Sequence, residues 1–371
     1  MNELRLTLRR ILSVIRKELL ETLKDPKSRT IVILPVIFQT LLFGYVATYD
    51  LDEVYYAALD QSRSKYSAEL LAKLDGSGIF QRVRTLDNAN QIADCIDNGD
   101  AMLAITIPAD FADKLTKGQA SPVQVITDGR NTMTSSLSSS YVASIVAAYN
   151  RQITKRDPLV QVDTVAWYNP NLISRWGFLA SLLPMMSLSQ VIMLSGLSVA
   201  REREQGTFDQ LLVTPLTPRE ILIGKLVPPL LVGMVQVTLI LGIAVFWFEV
   251  NMIGSLLTLY LTLFIFLLSC VGIGLSISAV SGSMQQVIVY CFVVLLPVNL
   301  LSGMATPVRN MPEVLQYFTY INPLRFAIDS VRRVYLEGAG LAMIAPNLIP
   351  MAIVALITLP TAAWLFRSKL S

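Results

Sequence analysis

Histidine is absent from the 371 residues, and its absence removes Ser-His-Asp and Cys-His catalysis, His-ligated metal sites and His-based pH sensing together. Charge is scarce: 15% of the residues are charged, against about 25% in soluble globular proteins. Cysteine is nearly as rare. Cys95 lies in a polar region and Cys270 and Cys291 inside apolar runs, so no CxxC pair and no disulfide framework can form, and all three read as small buried apolar side chains. The 30 basic and 27 acidic side chains nearly balance, which excludes a nucleic-acid binder with a spread basic face. No phosphate-cradling loop is present either. The one Gly-Lys pair, Gly224-Lys225, has Arg219 where a P-loop needs its first glycine and Leu226 where it needs Ser or Thr. Leu-Ser-Gly at 194–196 and 301–303 lies in apolar runs and reads as small-residue helix packing. The sequence thus offers no catalytic, metal-binding or cofactor-binding residues.

What remains is apolar length. Mean hydropathy is +0.54, and apolar windows occur at 31–48, 178–200, 226–248, 255–280, 286–305 and 349–366, each near the 20 or so residues that a membrane crossing requires. The fold class expected is an α-helical polytopic membrane protein of six spans. Prolines within the windows are tolerable where neighbouring helices satisfy the freed carbonyls. An even count puts both termini on one side. The short segments 1–30, 201–225, 281–285 and 367–371 hold 14 lysines and arginines, whereas 249–254 and 306–348 hold only Arg309, Arg325, Arg332 and Arg333, so the termini are expected in the cytoplasm.

Residues 1–30 contain an amphipathic helix over 3–23, with Leu4, Leu8, Ile11, Leu12, Ile15, Leu19 and Leu23 at helical spacing. It is expected at the inner interface before the chain turns at Asp25-Pro26. A cleaved signal peptide is disfavoured, because the basic region is long and no small-x-small site follows Thr48.

Residues 49–177 have soluble composition and are too long for a plain connection. Strand-like runs at 54–59, 78–83, 101–107 and 123–127 alternate with helical patterns at 64–74, 88–98 and 110–117. An extracytoplasmic α/β domain is expected, with a return helix over 135–152. Between Met304 and Leu336, Pro307, Pro312 and Pro323 with the four arginines predict bent, half-inserted outer helices over 306–340 rather than a full span.

The loop after the second span carries the most information. Arg201, Glu202, Arg203 and Glu204 leave the span, Gly206 breaks the helix, and Thr207 can cap a short new one through Leu212. A further start follows at Thr217, with Pro218 first in the helix and Glu220 in its first turn. The run E-R-E-x-G-T-x-x-x-L-L-x-T-P, Glu202 to Pro215, with Glu220 and Gly224-Lys225, resembles the signature loop of permeases of the type-2 (export) ABC-transporter family. Leu300 to Gly338 resembles that family's fifth span and outer half-inserted helices, and Arg16 to Pro26 its interfacial helix. The large domain between the first two spans is similar to an efflux-linked branch.

The resemblance implies a permease of a bacterial inner membrane that exports hydrophobic or amphiphilic compounds, drugs among them, and that is not itself an enzyme. It implies two cytoplasmic ATPase subunits that bind the ATP and Mg, a second identical or homologous permease, and an adaptor protein as a candidate periplasmic partner. ATPase coupling is expected at Glu202, Arg203, Glu204, Gly206, Thr207, Leu211, Leu212, Thr214 and Pro215, docked into a groove on the ATPase with Glu202 and Glu204 as charge-assisted contacts. Polar residues within the spans, Gln39, Ser187, Gln190, Gln236 and Asn299, are candidates for the substrate path, although each also suits helix packing. Two other classes remain: a membrane-anchored receptor or scaffold working through its external domain, and an ion-coupled secondary transporter. Six kinked spans exceed what an anchor needs. A secondary transporter would show repeats and intramembrane acids, which are missing here.

Overall fold

The computed structural model describes residues 2–24, 26–46, 53–154, 174–207, 217–304 and 306–368. The chain divides into two compact units, 49–165 and the remainder.

The 49–165 unit holds strands β1 (Val54–Asp60), β2 (Phe80–Thr85), β3 (Leu103–Ile107) and β4 (Gln124–Thr127), in the order β2-β1-β3-β4. β1 pairs in parallel with β2 and β3, and β3 pairs antiparallel with β4. In this chain order α1 (Asn2–Lys24) and α2 (Pro26–Val46) precede the sheet. Helices α3 (Lys65–Asp75), α4 (Asn90–Asp97), α5 (Phe111–Thr116) and α6 (Thr132–Thr154) surround it. Side-chain alternation sorts the two faces. Val54, Tyr56 and Ala58 of β1 join Leu103, Ile105 and Ile107 of β3 in a core under α3, α5 and α6. Ala57, Leu59 and Ala104 point the other way, under α4 with Ile92, Cys95 and Ile96. Ser64 caps α3 and Ser67 returns the bond to its N–H, so the expected helix start is built by a capping box. The anticipated return helix is longer than 135–152, since it starts with Thr132 directly after the Asp128-Gly129-Arg130 turn.

The second unit is helical. Among the described residues, four helices are long and apolar enough to cross a membrane, over 175–204, 219–247, 256–280 and 341–367, and 33–46 and 284–300 are shorter apolar helices. Besides α1 and α2 the unit contains α7 (Ser174–Glu204), α8 (Pro218–Gly242), α9 (Leu256–Val280), α10 (Met284–Leu300), α11 (Glu313–Phe318), α12 (Pro323–Arg332) and α13 (Leu341–Ser368). α9 lies at the centre, packed against α7 and α13. Its Phe266, Leu267, Cys270, Val271 and Leu275 are fully buried, whereas α13 exposes Leu356, Ile357 and Trp364. α7 and α13 outlast their apolar windows at both ends, because polar flanking turns remain helical where hydropathy has already fallen, whereas α10 stops at Leu300, inside the 286–305 window. Pro184 does not interrupt α7, nor Pro228 and Pro229 α8.

Between α10 and α13 the described residues form no straight helix. A 3-10 turn (Val308–Asn310), α11, a second 3-10 turn (Thr319–Ile321), α12 and a π-helical turn (Arg333–Glu337) follow one another. Pro312 and Pro323 sit at helix starts, where a missing N–H costs nothing. Asn322 caps α12 through the Leu324 N–H at 3.0 Å, and its amide donates to the Val298 carbonyl at 2.8 Å, tying the bend to α10.

Candidate functional site

Helix α7 ends in a Schellman motif. Gly206 is left-handed at φ +68°, its N–H donates to the Arg203 carbonyl, and the Thr207 N–H donates to the Glu202 carbonyl at 3.0 Å. Glycine suits this position because a side chain would strain the left-handed backbone, even though a Cβ there would meet nothing within 4 Å. After the undescribed stretch 208–216, α8 begins with a capping box. Thr217 accepts the Glu220 N–H, and the Glu220 carboxylate accepts the Thr217 N–H at 2.6 Å.

Four ionised side chains meet at this base. Lys225 on α8, its side chain fully buried, places Nζ 2.7 Å from Glu18 Oε1 of α1 and 2.8 Å from Glu202 Oε2 of α7. Lys17 of α1 reaches the other oxygen of Glu202, Oε1, also at 2.8 Å. Ser198 offers Lys225 two further acceptors, Oγ at 3.3 Å and its carbonyl at 3.4 Å. Two lysines and two carboxylates make the cluster neutral, and alternating signs leave each charge beside an opposite one. That balance is what permits burial, because an isolated ion removed from water would cost several kcal/mol. Arg10 adds a looser contact to Glu220 at 4.0 Å.

Packing explains how α1 comes close enough. A Cβ on Gly224 would lie 2.5 Å from Val14 Cγ1 of α1, inside any real carbon contact, so glycine lets the two helices touch and Lys225, one residue on, reach the α1 carboxylate. The Gly224-Lys225 pair, useless as a phosphate cradle, is a structural joint.

The expected coupling residues divide accordingly. Glu202 is 4% exposed, and its carboxylate lies against Lys17 and Lys225 of its own chain, which ties α7 to α1 and α8. Arg203 donates to the Ser281 carbonyl at 2.9 Å, just past the C-terminal end of α9, where carbonyls lack helical partners and a cation is favoured. Exposed Glu204 accepts the Met284 N–H at 3.0 Å, at the positive start of α10. Three consecutive residues thus hold α1, α8, α9 and α10 to the end of α7. Leu211, Leu212, Thr214 and Pro215 lie outside the described residues.

The substrate-path candidates do not share one environment. Ser187 is buried and donates to the Leu183 carbonyl on its own helix at 2.7 Å. Asn299 Nδ2 donates to the Leu295 carbonyl at 2.8 Å, and its Oδ1 is buried without a hydrogen-bond partner among the described residues. Gln236 is buried, while Gln39 and Gln190 are half-buried. Lys17, Glu18 and Lys225 were not among the expected site residues. Lys225 carried a signal, since it is a lone cation opening an apolar run directly after a glycine.

Comparison with known proteins agrees with this architecture. Residues 27–364 match the ABC-2 family transporter protein. The chain is 39% identical to "Probable multidrug ABC transporter permease YbhR" of Escherichia coli K12 over 363 residues, covering 97% of this chain and 99% of that one. It is 30% identical to "Probable multidrug ABC transporter permease YbhS" of the same organism, covering 90% of each. "Inner membrane transport permease YhhJ" is 28% identical over 69% of this chain and 70% of its own length. A helical membrane unit whose crossing helices are tied at one end by the E-R-E loop, matched almost end to end by transport permeases, belongs to the ABC-2 transporter family.

Proposed function

We propose that this chain is the membrane subunit of an ATP-driven exporter of hydrophobic or amphiphilic compounds, drugs among them. In this reading α2, α7, α8, α9, α10 and α13 cross the inner membrane. Both termini are cytoplasmic, the 49–165 unit is extracytoplasmic, and α11 and α12 dip into the outer leaflet. The chain carries no P-loop, so energy comes from a separate ATPase bound at the segment from Glu204 to Pro215, with Leu211 and Leu212 as the apolar contact. A second permease subunit completes the pathway, and an adaptor protein docks outside.

The observation that carries the reading is the buried Lys17–Glu202–Lys225–Glu18 cluster. Force applied to the loop after Glu204 has a stiff route into α1 and α8 through that cluster, into α9 through Arg203 and into α10 through Glu204. A transmission element of this kind must differ in energy between inward and outward states if nucleotide is to bias them. The relatives named as multidrug permeases support the cargo class.

The test is gentle purification of the tagged chain from its native membrane. A P-loop ATPase subunit should accompany it, and inverted vesicles should take up an amphiphilic dye only with hydrolysable ATP. A chain that purifies alone, in vesicles whose uptake follows a proton gradient instead, would refute the reading.

A further inference from the structure

The sheet of the 49–165 unit is covered unequally. Among the described residues, three helices lie over the face carrying Tyr56 and Ile105, but α4, eight residues long, is alone on the other. It shields Ala57, Leu59 and Ala104 and stops short of β4, where Ile126 is only partly buried. The uncovered part of that face is a cleft of about 990 Å³, the size of a small-molecule site. Leu59, Ile92, Ala93, Ile96, Pro108 and Ile126 form its apolar lining.

Its position and its polar groups both bear on what it holds. The strand order turns at β1, with β2 on one side and β3 on the other. Residues at the carboxyl ends of β1 and β3, Leu59 with Gln61 and Thr106 with Pro108, line the cleft. Ligands of open α/β sheets gather at this switch point. Gln61, Thr106, Gln124 and Thr127 give it a neutral polar border. Thr106 Oγ1 is buried with no hydrogen-bond partner among the described residues. Its charged lining residues are Asp97, Asp128 and Arg130, two carboxylates against one guanidinium. Arg130 is committed: Nε contacts Asp128 Oδ1 at 2.9 Å and Nη2 donates to the Ile96 carbonyl at 2.7 Å, which closes the wall between β4 and α4. Exposed Asp97 stands on the rim within the field of Arg130 and leaves the charged lining one carboxylate in excess.

We infer that this cleft binds a small amphiphilic cation, its apolar body against Ile92, Ile96 and Ile126, a polar atom at Thr106, and its positive group towards Asp97. The site does not depend on the export reading, because it lies wholly within the 49–165 unit and needs neither nucleotide nor a partner.

The experiment titrates rhodamine 6G, a lipophilic cation, against the full-length chain in zwitterionic nanodiscs without ATP, reading fluorescence anisotropy. Empty discs supply the lipid background. Ala93→Trp, at an exposed cleft-lining position, should fill the site and raise the saturable Kd at least tenfold. Asp97→Asn should raise it about two- to fivefold, as for loss of an exposed ion pair, and this difference should vanish at high salt. Unchanged melting temperatures keep unfolding out of the comparison. The anionic dye 1-anilinonaphthalene-8-sulfonate should not displace rhodamine 6G. Wild-type affinity in Ala93→Trp, wild-type affinity in Asp97→Asn, or equal displacement by the anion would each overturn the inference, whether or not the chain proves to be an exporter.

Discussion

Replacing Lys225 with methionine keeps a straight side chain of similar length and removes one positive charge from a site with no exposure. Glu18 Oε1 then loses a partner at 2.7 Å, and Glu202 Oε2 one at 2.8 Å. Glu202 retains Lys17, but Glu18, whose side chain is 13% exposed, loses its Lys225 contact and the four side chains together carry a net negative charge. Breaking a buried pair from one side costs about 3–5 kcal/mol. Adding Glu18→Gln restores neutrality with the Lys17–Glu202 pair still in place, so the double variant should recover part of the loss, with a coupling of about 0.5–3 kcal/mol. Unfolding midpoints of the purified chain, taken in one detergent with one denaturant, should rank wild type first, then Lys225→Met with Glu18→Gln, then Lys225→Met alone. If the two changes simply add, or if Lys225→Met melts like wild type, the charges are not compensating one another and the argument for a neutral buried cluster fails.

Three further outcomes follow from single positions. Gly206→Val should destabilise the α7 terminus by about 1–2 kcal/mol, the cost of a left-handed L-residue, whereas Gly206→Asn should lie near wild type in the same unfolding assay, since asparagine tolerates that backbone. Gly224→Ala should lower stability despite the better helix propensity of alanine, and Val14→Ala should partly rescue it by clearing the 2.5 Å approach; a Gly224→Ala chain as stable as wild type would mean that α1 does not rest on α8. Cys95 has no exposure, and burial pushes its thiol above the usual range. A membrane-impermeant maleimide applied outside should therefore label it in intact cells only after denaturant treatment that leaves the membrane closed, and labelling that requires opening the inner face would contradict the proposed sidedness.

Much of the α/β unit was legible because its signals are local. The short apolar runs Val54–Asp60 and Leu103–Ile107 mark strands buried on both faces, and the Ser64 start and the Asn98-Gly99 turn bracket their helices. Strand pairing was not legible, because register and order come from contacts between distant segments. The helix bounds were blurred for the reason that α7 runs on to Glu204 and α13 starts at Leu341: hydropathy reports what lipid tolerates, while backbone hydrogen bonding continues into polar turns. The base of the unit shows the sharper limit. Glu202 and Glu204 have the same chemistry two residues apart, yet successive helical positions face roughly 100° apart per residue, so one is buried against Lys225 and the other is exposed at α10. Spacing within α7 alone says nothing of a lysine that arrives from another helix, nor of the glycine that admits α1.

The most direct test of coupling through this cluster is transport per ATP in the assembled complex carrying Glu202→Gln, reconstituted beside wild type. Glutamine preserves shape and hydrogen-bonding capacity but removes the charge held by Lys17 and Lys225, while the loop beyond Glu204 is untouched. The account predicts normal assembly with the ATPase, continued basal hydrolysis, and at least a tenfold fall in cargo moved per ATP. A complex that assembles, hydrolyses ATP and transports with wild-type stoichiometry would contradict it.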